Sequence, residues 1–264
     1  MKDALQEDTL TPDSRDFVSA LSSGLDVILA FDDVHSRMTL SEVAARTGMN
    51  RAKARRFLLT LHALGYVRKH QRYFELAPKV LQLGYAFLSA NNYRSVIQQF
   101  LEDITAQTGE SSSLAQLDGD EVIYVARSAA PHRLMAITLS VGTRLPAAYT
   151  SMGHVLLAQL DEPALDAYLE RIALTRHTDK TVVDKHALRQ RIDTVRKQGY
   201  AIADQELDSG LRSLAVPAFN ASGHLLGAIN ISTNAARIDM DTLLGDYLPL
   251  LQDKAAQIRA SIAS

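Results

Sequence analysis

Residues Thr39 to Leu59 read TLSEVAARTGMNRAKARRFLL, the spacing of two short helices joined by a tight turn. Thr39 and Glu42 are set as in a capping box, where each side chain satisfies a backbone amide that the first helical turn leaves open. Counting from Leu40, small Ala44 falls where a second helix must pass close, and Gly48 falls where the chain turns and needs a positive φ at low cost. Asn50 is placed to cap the second helix. Ala54, Phe57, Leu58, Leu61 and Leu64 then repeat with the helical period of about 3.6 residues and form a buried stripe. Arg51, Ala52, Lys53, Arg55 and Arg56 occupy the first turns, away from most of that stripe. Those turns meet base edges when such a helix lies in a major groove. Leu59 is the misfit, because it projects near the basic side.

Charge separates the same region from the rest of the chain. Between Arg46 and Lys79 lie nine basic residues and one acidic residue, Glu75, for a net +8; the overall charge of −2 leaves −10 elsewhere. A basic segment on an acidic body implies a polyanion-binding module joined to a part with another task. With 264 residues and 47% hydrophobic content the chain can bury two domain cores. Absence of cysteine excludes disulfides and thiolate chemistry and fits a cytoplasmic location. The start, MKDALQEDTLTPDS, lacks a basic then apolar leader, and no apolar run approaches the ~18 residues of a membrane span. A soluble protein with no membrane partner is the expectation.

Working outward, residues 1–13 read as a polar, disordered tail. Phe17, Leu21, Leu25 and Ile28 mark an amphipathic helix, capped by Ser14 or Asp13. After Gly65, Tyr66–His70 and Tyr73–Leu76 read as a two-stranded hairpin whose Arg68, Lys69 and Arg72 suit phosphate contacts. These pieces give a winged helix-turn-helix over 14–77. Pro78 opens a connecting helix over 78–91, and the remaining domain spans 92–264. There, strand-like runs at Ser113–Leu117, Val122–Ser128, Leu134–Val141, Tyr200–Ala203, Leu214–Phe219 and Leu225–Ser232 interleave with helical segments, and a last helix covers Asp239 to Ile262. This pattern indicates an α+β domain.

Reactive constellations are absent. Ser151-Met152-Gly153-His154 puts a serine near a histidine, but no G-x-S-x-G elbow accompanies it, and no phosphate-binding glycine loop occurs. The eight histidines have no metal-ligand spacing, and Asp204, Glu206 and Asp208 read as a solvated turn. No enzyme, metal or cofactor is expected.

Three stretches, TLSEVAARTGMNRAKARRFLLTLHALGYV from Thr39, VGTRLPAAYTSMGHVLLA from Val141 and GYAIADQELDSGLRSLAVPAFN from Gly199, resemble the IclR family of bacterial transcriptional regulators across essentially the whole chain. ARRFLLTL followed by LGYV is similar to the subgroup controlling aromatic catabolism, the PcaR/PcaU/PobR type of the β-ketoadipate pathway. The resemblance implies a C-terminal effector-binding domain of GAF-like fold, a homodimer or tetramer on double-stranded operator DNA, and a small organic acid as effector. It implies RNA polymerase as a further partner if the protein activates. Carried over by position, the effector site comprises Ser151, Met152, Ala203, Asp204, Ser213, Asn230 and Ser232. Asn230 and Ser232 share one strand face by parity alone. Two positions depart from the family pattern. Ala203 replaces an acid or serine, which would ease binding of a dianion, and His154 replaces the arginine common in the subgroup. The carboxylate must then meet another cation, with Arg127, Arg133, Arg144 and Arg212 as candidates. Two alternatives stay open: a regulator answering to a non-aromatic keto or sugar acid, and a ligand sensor acting through protein partners.

Overall fold

The structure is a computed structural model that describes residues 11–90, 93–130 and 139–263, with the side chains of 88–90 outside the description. It divides into two compact units, Met1–Ala90 and Asn91–Ser264. Most of the expected polar tail and of the strand at Leu134–Val141 lies outside the described residues, as does Arg133.

In the first unit, α1 (Ser19–Leu29), β1 (Arg37–Thr39), α2 (Leu40–Thr47) and α3 (Arg51–Ala63) precede β2 (Val67–His70) and β3 (Tyr73–Leu76). The capping box forms as the spacing predicts: the Thr39 amide donates to Glu42 Oε2 at 2.6 Å, and the Glu42 amide to Thr39 Oγ1 at 3.4 Å. Gly48 ends α2 at φ 66°, and Asn50 Oδ1 accepts from the Lys53 amide at 2.8 Å to start α3. Ala54, Leu58 and Leu61 are buried, Phe57 and Leu59 half-buried, and Leu64 exposed at the helix end. Val27, Phe31, Met38, Val43, Val67 and Phe74 complete this core.

Three expectations need correction here. The wing is a three-stranded antiparallel sheet of order β1-β3-β2, not a hairpin alone. Helix α1 is capped by neither Ser14 nor Asp13: its N-cap is Val18, and Ser14 instead closes a turn with Thr11. The face of α1 turned to the core carries Ser23 and Val27, so Leu21 and Leu25 belong to a second apolar stripe left exposed.

Pro78 opens a 3-10 turn (Pro78–Val80) that runs into α4 (Leu81–Ala90). The second unit begins with α5 (Tyr93–Thr108), followed by β4 (Ser111–Asp118), β5 (Glu121–Ser128) and β6 (Arg144–Pro146). A 3-10 turn (Ala147–Tyr149) leads into α6 (Ser151–Leu157), then α7 (Glu162–Arg171) and α8 (Lys185–Gln198). β7 (Ala201–Asp204), β8 (Leu211–Phe219) and β9 (Leu225–Asn234) complete an antiparallel sheet of order β6-β5-β4-β9-β8-β7. The expected single last helix is interrupted: α9 (Met240–Thr242) passes through a π turn (Leu243–Tyr247) into α10 (Leu248–Ser261). Pro249 near the start of α10 lacks an amide, so the irregular turn falls where a regular bond would be missing.

Strand parity sorts the sheet into two faces. Leu214, Ile229 and Ile231 meet Ile97, Leu101 and Ile104 of α5 and Leu251 and Ile258 of α10. On the other face Ala115, Ala215 and Ala228 are small, and α6 packs on them through Met152, Val155 and Leu156. Every residue of α6 is buried. Gly153 is required there, because a Cβ would lie 2.0 Å from the Ala147 carbonyl oxygen.

Candidate functional site

Most basic residues of the first unit are displayed rather than neutralised; Arg46 is the exception, paired with Asp32 at 2.7 Å. Arg51, Ala52, Lys53, Arg55 and Arg56 are exposed along α3, beginning directly after the Asn50 cap, and Arg68 and Lys69 are exposed on β2. Among the described residues none of these cations has a carboxylate partner. Lys53 lies 6.0 Å from the Phe57 ring centroid. Arg72, at the wing tip, donates to the Tyr73 hydroxyl at 2.9 Å, and the Arg37 and Arg72 guanidiniums lie 4.6 and 5.1 Å from the centre of the same ring. Lys79 does something else: its Nζ donates to the Leu64 carbonyl and ties down the C-terminal end of α3. Such a cation-bearing, capped helix beside a basic wing can engage phosphates and a major groove.

In the second unit a narrow cavity of about 20 Å³, the room of about one water molecule, lies on the α6 face of the sheet. Six of the seven residues expected there line it: Ser151, Met152, Ala203, Ser213, Asn230 and Ser232. Backbone register explains the convergence, since Ala203 pairs with Ser213 and Ser213 with Ser232, all on one face. Ser151 Oγ, at the start of α6, donates to Ser213 Oγ at 2.8 Å, and Asn230 Nδ2 donates to Ser232 Oγ at 3.0 Å. Asn230 Oδ1 is buried without a partner among the described residues.

Asp204 is the seventh, and it does not line the cavity. It follows Ala203 by one residue, so alternation turns it to the other face, where it pairs with Lys180 at 2.5 Å and Arg212 at 2.8 Å. Burial works to raise its pKa, and the two cations overcome that and hold it below the usual carboxylate range. Glu206 reverses the expectation of a solvated turn: it is 4% exposed, lines the cavity and pairs with Arg191 of α8. The wall therefore carries an acid despite Ala203. Tyr124, Tyr149 and Thr150 also line it, residues for which sequence spacing gave no signal. Burial pushes the Tyr124 phenol up to about 12, so it stays protonated. The Tyr149 hydroxyl accepts from the Thr175 amide at 2.6 Å, fastening the wall to the loop before α8.

Of the candidate cations, Arg144 pairs with Asp118 and Glu121, and Arg212 with Asp204. Arg127 has no acidic partner among the described residues. Its guanidinium donates to Ser113 Oγ at 3.1 Å, its Nε is buried without a partner, and burial lowers its pKa. Ser113 pairs across strands with Asn230, which places Arg127 beside the cavity rather than in its wall. His154 does not substitute for the subgroup's arginine as a cation. It is fully buried, its Nε2 bonds the Ala148 carbonyl at 2.7 Å, and burial lowers its pKa to about 4. Among the described residues no group of three His, Cys, Asp or Glu could hold a metal, and no helix is long and apolar enough to cross a membrane.

Two family models cover the two units. The IclR helix-turn-helix domain matches residues 20–71, and the bacterial transcriptional regulator IclR C-terminal domain matches residues 85–260. The chain belongs to the IclR family. Among its relatives, the Pca regulon regulatory protein of Pseudomonas putida is 44% identical over 89% of this chain and 81% of its own length. The p-hydroxybenzoate hydroxylase transcriptional activator of Acinetobacter baylyi is 36% identical over 93% and 92%. The inducer-binding domain of an Acinetobacter PobR double mutant, solved with 3-hydroxybenzoic acid, is 35% identical over 63% of this chain and 97% of its own, with a TM-score of 0.59. This IclR-family chain is thus a transcriptional regulator of the Pca/PobR aromatic-catabolism type, with a helix-turn-helix domain that implies DNA binding and an effector-binding domain. Its relatives are transcriptional regulators, which fits a protein without catalysis.

Proposed function

We propose that the cavity lined by Ser151, Ser213, Asn230 and Ser232 widens to take a small aromatic acid, and that its occupancy controls how the protein engages an operator through α3 and the wing. The observation that carries this is the collection of buried polar side chains in one cavity wall, one of them with an unmet Asn230 oxygen. Polar atoms are rarely buried without partners unless a ligand or water completes them. Arg127 meets the carboxylate, since it alone among the described candidate cations lacks an acidic partner and adjoins this wall. The PobR domain that binds 3-hydroxybenzoic acid supports the same ligand class.

The working species is a homodimer or a tetramer built from it. Val18, Leu21, Leu25 and Leu29 on and just before α1, and Leu81, Leu83 and Tyr85 on α4, are large apolar residues left exposed in the first unit, as a surface covered by a second copy would be. Effector binding shifts this assembly between states that present the two α3 helices differently, to the extent that its affinity for those states differs. RNA polymerase joins as a partner where the outcome is activation. The protein acts in the cytoplasm, without catalysis.

A thermal-shift panel of aromatic acids, their ring-cleavage products and short keto or sugar acids tests the reading. At about 100 times its dissociation constant the true effector stabilises by ~2.7 kcal/mol. Response to keto or sugar acids alone would replace the aromatic reading. On the DNA side, Arg55→Ala should cost ~1–3 kcal/mol in operator affinity and relax sequence preference. A loss equal on all sequences would make Arg55 a phosphate contact.

A further inference from the structure

We infer that Glu206 selects effectors carrying a hydroxyl group besides their carboxylate, by accepting a hydrogen bond from that hydroxyl at Oε2. The inference rests on the aromatic-acid reading of the cavity and deepens it. Glu206 follows the edge strand β7 and lines the cavity. One carboxylate oxygen is engaged by Arg191, while Oε2 is buried with no hydrogen-bond partner among the described residues. Burial raises the Glu206 pKa and the Arg191 guanidinium works against that rise; in the ion pair with Arg191 the carboxylate is in its ionised form, which can only accept. A ligand group that meets Oε2 must therefore donate. A ring edge would leave the oxygen unpaired, and a carboxylate would meet a like charge.

The loop holds Glu206 in place. Thr181 Oγ1 donates to the Glu206 carbonyl at 2.7 Å, and Thr178 Oγ1 to the Gln205 carbonyl at 2.6 Å. Sheet order sets the ligand's direction. Arg127 stands on β5, and β4, β9 and β8 separate that strand from β7. The face thus presents an open acceptor oxygen after β7, on a carboxylate whose other oxygen Arg191 holds, and a guanidinium at β5, with Ser213, Ser232 and Asn230 between. A hydroxybenzoate lies along this gradient with its carboxylate toward Arg127 and its hydroxyl toward Glu206.

Calorimetric titration of the full-length protein with benzoate, 3- and 4-hydroxybenzoate and 3- and 4-fluorobenzoate tests this, because fluorine is close in size to hydroxyl and cannot donate. Wild type should bind at least one hydroxybenzoate about 10-fold or more tighter than its fluoro counterpart. Glu206→Gln should reduce that gap to about 3-fold or less while benzoate still binds. If Glu206→Gln does not fold, Glu206→Asp, which keeps the charge and withdraws the oxygen, should narrow the gap likewise. Equal binding of fluoro and hydroxy acids by wild type overturns the inference and leaves the aromatic-acid reading standing. A gap unchanged in the folded variants also overturns it. If no acid in the panel binds wild type, the aromatic reading falls and this inference with it.

Discussion

The two units place their functional groups in opposite ways. In the first, Asn50 to Lys53, Arg55 and Arg56 are exposed within one seven-residue stretch carried by one capped helix. In the second, Ser151, Ser213, Asn230 and Ser232 come from three elements and are buried, each placed by strand register or by the seat of α6. A surface site of this kind rests on local caps and tolerates change in the core beneath it. A buried site depends on long-range packing, so small changes of volume or charge nearby should cost far more.

The largest expected effect lies in the second unit. Gly153→Ala forces a methyl group against the Ala147 carbonyl and should destabilise that unit by about 3 kcal/mol, read by urea denaturation. A loss below about 1 kcal/mol would show that the seat of α6 yields, and the contrast would weaken. Next comes acid sensitivity. Burial holds the folded pKa of His154 at about 4, against 6.5 for an ordinary histidine, so the stability it contributes is complete above pH 6.5 and drains away as the pH falls toward 4. At pH 5 the loss attributable to it should be about 2 kcal/mol, and His154→Leu should remove that part of the pH dependence. An unchanged slope in the variant would place the sensitivity elsewhere. The smallest effect belongs to the first unit: Asn50→Ala removes one cap bond and should cost about 1 kcal/mol of its stability, measured as a shift in denaturation midpoint. A cost matching that of Gly153→Ala would erase the distinction.

The same contrast explains what could be read from residues alone. The capping box, Gly48, the Asn50 cap and the basic turns of α3 are relations within about four residues, and all of them form. Strand parity likewise placed Asn230 and Ser232 together, and the family resemblance added Ser151, Met152, Ala203 and Ser213. Asp204 failed because adjacency along a strand means opposite faces. Glu206 was hidden in an Asp-x-Glu-x-Asp run that has the look of a solvated turn; its burial depends on Arg191, fifteen residues earlier on another element. β1 is three residues long and ends in the Thr39 cap, too short to show alternation. In α1 two apolar stripes compete, and only the packed fold shows that Val27 rather than Leu21 faces inward.

The stacking of Arg37 and Arg72 on Tyr73 bears on how fast and how firmly the wing could grip a polyanion. Free arginines sample many rotamers, and each must surrender that freedom on contact. Here one aromatic ring holds two guanidiniums close together in the unbound protein, against their mutual repulsion. Part of the ordering cost has then been met before any phosphate arrives, and more of each contact's energy is left for affinity. Tyr73 thus serves the interface without needing to touch the nucleic acid.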